Sequence, residues 1–437
     1  MLLLLYNLLL PLALLVSFPF YLRRMLKRGG YARNFLQRFG FFSKRLRRRF
    51  SEGRWTWVRA VSVGEMMLAL RLIRGLKERD PQLQAVISTT TSTGYALGLK
   101  QADPTWTEVI YSPIDFYPIV SWVWRQINPL EMLLVDSDLW PSFLAIAATT
   151  GVPSHLTNAR LSPRSERRYR NTRLLSRELF WKKLTTVCAQ DENDAVRWVS
   201  LGVSRDRIFT TGSIKYDTAE TEGAERADFS DWLRSRGFDL QRLVLLGGSL
   251  HPGEEQLLID CYLELRVKFP GLFLILAPRH AERTPEVEHL LQNADVSYTL
   301  RSKPRFCPAT SALVVDSTGE LRDWYRMATV VVMGKSFRGV GGQNPVEPIL
   351  AGKPVICGPH MENFDYLIQE LRRAGGVVQL ESEREMAGSV ADLLVSPEKA
   401  AQLVTNAEGA LMQHRGATNR TVELILHARR RNRNDPL

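Results

Sequence analysis

The sequence has few cysteines, and they are too scattered to act together. Only four of the 437 residues are Cys, namely Cys188, Cys261, Cys307 and Cys357, and no CxxC spacing occurs. This distribution excludes a disulfide framework and predicts no zinc or other metal site. Hydrophobic residues make up 45% and charged residues 24%, which excludes both a disordered chain and a polytopic membrane protein.

The first twenty residues have no charged side chain. They read MLLLLYNLLLPLALLVSFPF, and about 20 apolar residues are what a helix needs to cross a bilayer. Basic residues follow this run and no small-residue cleavage site ends it, whereas a secretory signal has the opposite arrangement. We therefore predict a single N-terminal membrane-anchor helix over residues 1–22. A monotopic segment is the alternative, because Pro11 and Pro19 shorten the ideal helix.

Acidic residues are nearly absent from the next segment. Residues 23–54 contain twelve Lys and Arg and a single acid, Glu52, and this accounts for most of the net charge of +12. Such a basic segment favours the cytoplasmic side and an anionic membrane surface, so we expect the catalytic body to be cytoplasmic. Nucleic acid is not an expected partner, because no nucleic-acid-binding signature follows.

Short apolar runs alternate with helix-length segments from about Trp55 onward. WTWVRAVSV, QAVISTTT and LEMLLVD are such runs, and near-continuous apolar strands indicate a parallel sheet covered on both faces. The pattern predicts an α/β protein with a doubly wound domain over residues 55–216, a polar linker over 217–240 and a second doubly wound domain over 241–437 that ends in a basic tail. Ligands bind beyond the carboxyl ends of such strands, so two domains of this kind facing each other would form a central cleft.

Charged side chains follow several predicted strands of the first domain. Glu65 in VSVGE is either an anion at a helix N-terminus or a general base for an acceptor hydroxyl. Asp136 and Asp138 end a later strand, where paired acids can bind a metal, orient an acceptor or shift each other's pKa, and Asp138 can instead cap a helix. Arg160 and Lys215 suit an anionic ligand or form a solvated charged loop.

Glycine-containing loops recur in the second domain. GGSLHPGEE, APRHAER, STGE and GGQNPVEP each follow an apolar run and precede a predicted helix. Glycines and helix N-termini present backbone N–H groups to phosphate, so we predict a bound nucleotide, although no segment matches the Rossmann or Walker fingerprint. Arg279 and His280 are candidates for the phosphate, and Glu347 for a ribose diol or a helix cap.

Together these segments resemble the 3-deoxy-D-manno-octulosonic acid (Kdo) transferases of lipid A glycosylation. AVSVGE, TTTSTG, GSIKYD, HPGEE, NPVEP and GPHMENF occur in the family's order over nearly the whole chain. The resemblance implies a GT-B fold of two Rossmann-like domains, the first for the acceptor and the second for the nucleotide donor. It also implies an inverting transfer of Kdo from CMP-Kdo to a lipid A precursor at the bacterial inner membrane, with no cofactor besides that donor substrate.

The same resemblance assigns roles to individual residues. It implies that Glu65 is the proton acceptor and that Asp136 and Lys215 stabilise the transition state. It places the CMP contacts at Pro278, Arg279, Thr318, Gly319, Glu320, Asn344, Pro345, Val346 and Glu347.

The chain departs from the family's pattern at five positions. Glu is usual where this chain has Asp136 and Asp138, and His, His and Gly are usual where it has Arg59, Gln343 and Lys335. Two rival hypotheses follow. One is a GT-B enzyme that uses a UDP-sugar or epimerises a sugar nucleotide. The other is a non-catalytic membrane-surface binding protein, for which the changes from Glu to Asp are the best support.

Overall fold

A computed structural model describes residues 2–28, 34–161, 163–217, 229–307 and 309–434 of the chain. The chain divides into two compact units, of which unit 1 comprises Met1–Asp217 and His414–Leu437, and unit 2 comprises Thr218–Gln413. Each unit contains a parallel sheet with helices, so the predicted α/β class with two Rossmann-like domains is confirmed. The predicted boundary of the second domain at residue 437 is wrong, because the last segment belongs to unit 1.

Unit 1 is built on a seven-stranded sheet in which every neighbouring pair is parallel. The strand order is β3-β2-β1-β4-β5-β6-β7, which reverses direction between β1 and β4. The strands are β1 (Trp55–Arg59), β2 (Ala85–Thr89), β3 (Thr107–Tyr111), β4 (Pro129–Val135), β5 (Ser154–Ala159), β6 (Thr186–Ala189) and β7 (Ile208–Thr210).

Helices cover both faces of this sheet. They are α1 (Leu2–Arg28), α2 (Lys44–Ser51), α3 (Val63–Arg79), α4 (Ser92–Gln101), α5 (Tyr117–Ile127), α6 (Pro141–Thr149), α7 (Pro163–Asn171), α8 (Arg173–Leu179) and α9 (Glu192–Ser200). Trp57 packs with Trp124 and Phe143 on one face, while Val58 joins a second buried cluster on the other. Burial on both faces explains why these strands are nearly continuously apolar in the sequence.

Unit 2 contains a second parallel sheet, with order β10-β11-β9-β8-β12-β13-β14. The strands are β8 (Val244–Leu250), β9 (Phe273–Pro278), β10 (Tyr298–Leu300), β11 (Ala312–Val314), β12 (Val330–Met333), β13 (Val355–Cys357) and β14 (Val378–Gln379). The helices are α10 (Phe229–Arg234), α11 (Glu254–Leu265), α12 (Thr284–Asn293), α13 (Leu321–Trp324), α14 (Val346–Leu350), α15 (Asp365–Ala374), α16 (Met386–Val395) and α17 (Pro397–Met412).

The second half of the predicted linker over residues 217–240 contains a helix. Residues 218–228 lie outside the described part of the chain. Helix α10 follows, and Phe229 stacks on Trp324 with the ring centroids 4.4 Å apart. The second half of the predicted linker therefore packs into unit 2.

The last helix, α18 (Ala417–Asn434), packs against α3 of unit 1. Its Arg429 is buried, donates from Nε to Glu131 Oε2 at 2.8 Å and from Nη1 to Asp80 Oδ2 at 2.9 Å, and also contacts Thr56 Oγ1 at 3.1 Å. Arg429 was expected to be part of a basic tail. That interpretation is wrong for this residue, because its charge is paired inside unit 1.

The first helix, α1, covers the predicted anchor. Asn7 Oδ1 accepts a hydrogen bond from the Tyr117 N–H at 2.7 Å, and Asn7 Nδ2 lies 3.5 Å from Ser142 Oγ, so the helix contacts the N-terminal ends of α5 and α6. Its other face exposes Leu4, Leu8 and Leu12. Among the helices of the described ranges, none is both long and apolar enough to cross a bilayer.

Candidate active site

The reversal of strand order in unit 1 brings two acidic loops together. Glu65 follows β1 in the first turn of α3, and Asp136 and Asp138 follow β4, the strand next to β1. The carboxyl ends of parallel strands lie at one edge of the sheet, so three carboxylates from distant parts of the sequence become neighbours. This is the position at which open α/β sheets bind their ligands.

Glu65 forms a variant of the capping box at the start of α3, in which its carboxylate bonds the N–H of Val61 instead of that of the N-cap residue Ser62. Its Oε2 accepts a hydrogen bond from the Val61 N–H at 2.7 Å, and its Oε1 accepts one from the Ser62 hydroxyl at 3.1 Å. Burial nevertheless raises the pKa of Glu65 to about 7, with further increases from Asp136 and Asp138, and the two hydrogen bonds only partly oppose this. Glu65 thus caps the helix and also has a pKa near neutral pH, which suits a general base.

Asp136 and Asp138 do not act as a pair. Asp138 is buried, its Oδ2 accepts a hydrogen bond from Arg59 Nε at 2.9 Å, and its Oδ1 accepts one from Trp140 Nε1 at 2.5 Å. Its charge is therefore neutralised by a cation on the neighbouring strand. Asp136, with a φ of 59°, turns instead toward Asn158, whose Nδ2 donates to Asp136 Oδ1 at 2.5 Å. Of the two acids, Asp136 is the one left to interact with a substrate.

Lys215 lies in a turn that follows β7. Partial desolvation lowers the pKa of Lys215, and Arg160 lowers it further, while Asp136 opposes both effects. Burial raises the pKa of Asp136, and Asn158, Lys215 and Arg160 oppose that increase. Asp136, Lys215 and Arg160 therefore share one electrostatic environment. The structure brings the three predicted catalytic residues, Glu65, Asp136 and Lys215, to the same edge of the sheet of unit 1.

The second reversal of strand order lies between β8 and β12 in unit 2. Here Glu254, which is fully buried, accepts hydrogen bonds from the backbone N–H groups of residues 335, 336, 337 and 338 at 2.6 to 3.3 Å, and from the His251 N–H at 2.9 Å. One carboxylate thus fixes the loop after β12 against the loop after β8. The sequence analysis missed Glu254 as a functional residue, and HPGEE gives no local signal for contacts 81 to 84 residues away.

The glycine-rich loops are not four copies of one phosphate-binding device. Gly247 and Gly248 lie inside β8, where a Cβ at Gly248 would approach the Tyr325 hydroxyl to 2.6 Å, so packing requires these glycines. The first turn of α11 carries the buried acids Glu254 and Glu255. The expectation that the glycines of GGSLHPGEE offer free backbone N–H groups to phosphate is therefore wrong for Gly247 and Gly248.

The predicted CMP contacts come from three segments of unit 2 that converge. Pro278 is the last residue of β9 and Arg279 follows it, Glu320 precedes α13, and Glu347 lies in the first turn of α14. Burial raises the pKa of Glu347, while Arg322, Asn344 and Arg279 oppose this increase. Gly319 has a φ of 91° at the turn before α13. Pro278, Arg279, Thr318, Gly319, Glu320, Asn344, Pro345, Val346 and Glu347 thus belong to neighbouring loops of one sheet.

Glu320 is paired within unit 2. Burial alone would raise its pKa, but hydrogen bonds from the Ser317 hydroxyl at 2.7 Å and from the Arg301 guanidinium at 3.0 and 3.1 Å hold the pKa below its usual value. Glu320 is therefore ionised near neutral pH and positions the turn that contains Gly319.

Comparison with known proteins places this geometry in one family. The sequence profile of 3-deoxy-D-manno-octulosonic acid transferases matches residues 33–218. A 3-deoxy-D-manno-octulosonic acid transferase of Bordetella pertussis is 31% identical over 383 residues, covering 84% of this chain and 86% of the relative. The chain belongs to the Kdo transferase family. A Chlamydophila psittaci transferase of the same name is 29% identical and covers 96% of this chain and 95% of its own length.

The Kdo transferase fold extends to enzymes of other chemistry. The solved UDP-GlcNAc 2-epimerase of Neisseria meningitidis aligns with 86% of this chain and all of its own, with a TM-score of 0.55 at 15% identity. That likeness concerns the fold alone.

Two departures from the Kdo transferase pattern contact each other. Arg59 and Asp138 form the buried ion pair described above, and Arg59 also donates to Ser112 Oγ at 2.8 Å and lies 3.7 Å from the centre of the Phe143 ring. Asp138 has a shorter side chain than the Glu that is usual in the family, and the Arg59 guanidinium reaches its carboxylate.

Two more of the five departures, Gln343 and Lys335, lie in unit 2. Gln343 Nε2 lies 3.2 Å from His251 Nε2. Lys335 has a φ of 57°, the left-handed backbone that glycine adopts without strain. The N–H of Lys335 donates to Glu254 at 2.6 Å, which helps to hold that conformation.

Proposed function

We propose that this Kdo transferase family member transfers Kdo from CMP-Kdo to a hydroxyl group of a lipid A precursor, with inversion at the anomeric carbon. The observation that carries the proposal is Glu65, a half-buried carboxylate at the strand-order reversal of unit 1 with a pKa of about 7. A carboxylate of this pKa is about half ionised near neutral pH, so it is available as a base. It is also basic enough to take a proton from an attacking hydroxyl group.

The reaction is a single displacement. The acceptor oxygen forms a bond to the anomeric carbon of Kdo, the bond from that carbon to the phosphate oxygen breaks, and CMP leaves with the electron pair. Glu65 takes the proton of the attacking hydroxyl. Asp136 and Lys215 lie in the same electrostatic environment and supply opposite charges, which stabilise the charge that develops on the sugar and on the departing phosphate.

The donor is assigned to unit 2. The guanidinium of Arg279 suits a phosphate, and the Glu347 carboxylate suits the two hydroxyls of a ribose, to which it offers two acceptor oxygens. Arg279 and Glu347 interact electrostatically although they lie 68 positions apart in the sequence. This proximity supports one ligand with a phosphate and a diol.

The decisive assay incubates the purified chain with CMP-Kdo and a disaccharide lipid A precursor, and detects product by mass spectrometry. We expect Kdo-bearing lipid and free CMP in equal amounts. Glu65→Gln should lower kcat by about 10² to 10⁴-fold, the usual contribution of a general base, while CMP affinity is retained. Glu78→Gln is the matched control, because Glu78 is an exposed residue of the same helix.

The rival functions give different outcomes in the same assay. A UDP-sugar transferase or an epimerase would consume UDP-N-acetylglucosamine and leave CMP-Kdo intact. A non-catalytic binding protein would consume neither. Failure to convert CMP-Kdo under conditions in which CMP binds would therefore disprove the proposed transfer.

The location is also proposed. We propose that α1 attaches the chain to the bacterial inner membrane with both units in the cytoplasm. The exposed leucines of α1 supply an apolar face, and the basic residues 23–54 favour anionic lipid. Part of that basic segment has an internal role, since Arg45 pairs with Glu108 at 2.6 Å and Arg49 with Glu108 at 3.4 Å.

Sedimentation with vesicles tests this attachment. We expect binding to vesicles that contain phosphatidylglycerol, weaker binding to pure phosphatidylcholine, and loss of both in a variant with Leu4, Leu8 and Leu12 changed to Gln. A matched control changes the exposed Leu99 to Gln, since this residue lies on α4. Equal sedimentation of the triple variant and the parent chain would contradict the role of α1.

A further inference from the structure

Asn158 occupies an unusual position at the end of β5. The residue is buried, with 2% of its surface exposed, and its φ is 54°. A left-handed residue interrupts the strand, and the register between β5 and β6 shifts between Leu156 and Ala159. Asn tolerates this backbone better than most residues, so the strain is small. Such a conformation persists where the surrounding structure holds it in place.

The side chain of Asn158 uses both ends of its amide. Nδ2 donates to Asp136 Oδ1 at 2.5 Å, whereas Oδ1 accepts hydrogen bonds from the Ile214 N–H at 2.9 Å and from the Ser213 hydroxyl at 3.2 Å. The backbone carbonyl oxygen of Asn158 accepts a further hydrogen bond from Gln190 Nε2 at 3.0 Å. The partners define the orientation of the amide, because a carboxylate needs a donor and a backbone N–H needs an acceptor.

These contacts join two loops that are far apart in the sequence. Asp136 follows β4, and Ile214 immediately precedes Lys215 in the turn after β7. The strands β5 and β6 lie between β4 and β7 in the sheet, so the two loops need a bridge to keep a fixed distance. Asn158 is that bridge, and its left-handed backbone directs the side chain toward both.

We propose that Asn158 is a positioning residue that holds the Asp136 carboxylate and the backbone next to Lys215 in the arrangement that sugar transfer requires. The inference rests on the proposed function only in assigning Asp136 and Lys215 to the reaction. Asn158 acts through these two residues. Misplacement of a reacting group by about 1 Å costs roughly 10²-fold in rate, which sets the scale of the effect.

Two substitutions separate the two ends of the amide. Asn158→Gly permits the left-handed backbone and removes both contacts. Asn158→Asp keeps an oxygen for Ile214 and Ser213 but places a second carboxylate against Asp136. Asn128→Gly is the matched control, because Asn128 has a φ of 50° and lies before β4, at the opposite edge of the same sheet.

The first readout is kcat as a function of pH, divided by the parent value at each pH. The charged groups around Asp136 are Lys215, Arg160, Glu65 and, in its own loop, Asp138. Division by the parent value removes the pH dependence that the variant and the parent have in common. Asn158→Gly should lower kcat by about 10 to 100-fold. In Asn158→Asp the ratio should rise as the pH falls, because two adjacent carboxyls share a proton. A pH-independent ratio in Asn158→Asp, or parental kcat in both variants, would overturn the proposal.

The second readout does not depend on activity. Hydrogen exchange followed by mass spectrometry should show faster exchange at the Ile214 amide in Asn158→Gly, with protection retained in Asn158→Asp and in Asn128→Gly. Unchanged exchange at Ile214 in Asn158→Gly would refute the bridge. If the parent chain does not convert CMP-Kdo, the proposed function fails, and this measurement still decides whether Asn158 holds the two loops.

Discussion

Removing the charge of Glu65 should make the protein more stable at alkaline pH while it loses activity. Burial raises the pKa of this carboxyl from its ordinary 4.5 to about 7, so folding favours the protonated acid. The stabilisation that the folded state gains from protonated Glu65 is complete below the pKa of the unfolded state. It is lost as the pH rises through the pKa of the folded state. Ionised Glu65 therefore opposes folding above about pH 7.

The magnitude follows from the same shift. An increase in pKa from 4.5 to about 7 corresponds to at most about 3 kcal/mol of destabilisation when the group is fully ionised. Glu65→Gln carries no charge at any pH. Relative to the parent, its free energy of unfolding should therefore increase by up to about 3 kcal/mol between pH 4 and pH 8.

Urea unfolding at several pH values, followed by tryptophan fluorescence, measures this difference. The pH dependence of the difference is the informative quantity, because constant effects of the altered capping box cancel. Glu78→Gln should show no such trend. A difference that stays flat from pH 4 to pH 8 would refute the claim that burial raises the pKa of Glu65, and with it the argument for a base poised near neutrality.

Three further substitutions test the structure of the two units. Arg429→Met should destabilise the protein by about 3–5 kcal/mol in thermal unfolding because it leaves buried acids without their cation, whereas the exposed Arg430→Met should change stability by less than about 0.5 kcal/mol. Glu254→Gln should cost about 1.5–3 kcal/mol and weaken CMP binding measured by calorimetry, since an amide oxygen cannot accept all five backbone hydrogen bonds. Arg59→Met should destabilise by about 3–5 kcal/mol, and adding Asp138→Asn should restore most of the loss in a double-mutant cycle, a recovery whose absence would contradict the buried pair.

The sheets were predictable because their strands are buried on both faces. The run WTWVRAVSV became β1 followed by the first turn of α3, and LEMLLVD became β4 followed by Asp136. Glu65 and Asp136 could be predicted as candidates because each follows such a strand, and Lys215 because it follows the short edge strand β7. Their proximity could not be read from periodicity, since it depends on the strand order and on Asn158, which the sequence analysis overlooked.

Long-range pairing explains the errors. Arg429 belongs to a basic run, and nothing local distinguishes it from its exposed neighbour, because its partners lie about 300 residues away. Gly247 and Gly248 precede HPGEE, so they were taken for a phosphate loop, although both lie in β8 and serve close packing, Gly247 against Leu250 and Gly248 against Tyr325. Asp138 was paired with Asp136 by spacing, while the structure pairs it with Arg59 on the neighbouring strand.

The return of α18 to unit 1 has a consequence for biosynthesis. Residues 218–413 form one continuous stretch, so every residue that unit 2 needs for its core precedes His414 in the order of synthesis. Unit 1 begins first but lacks the partner of Glu131 and Asp80 until Arg429 has been translated. The half of the protein that contains Glu65 is therefore the first to be started in synthesis, although it needs nearly the last residues to be complete.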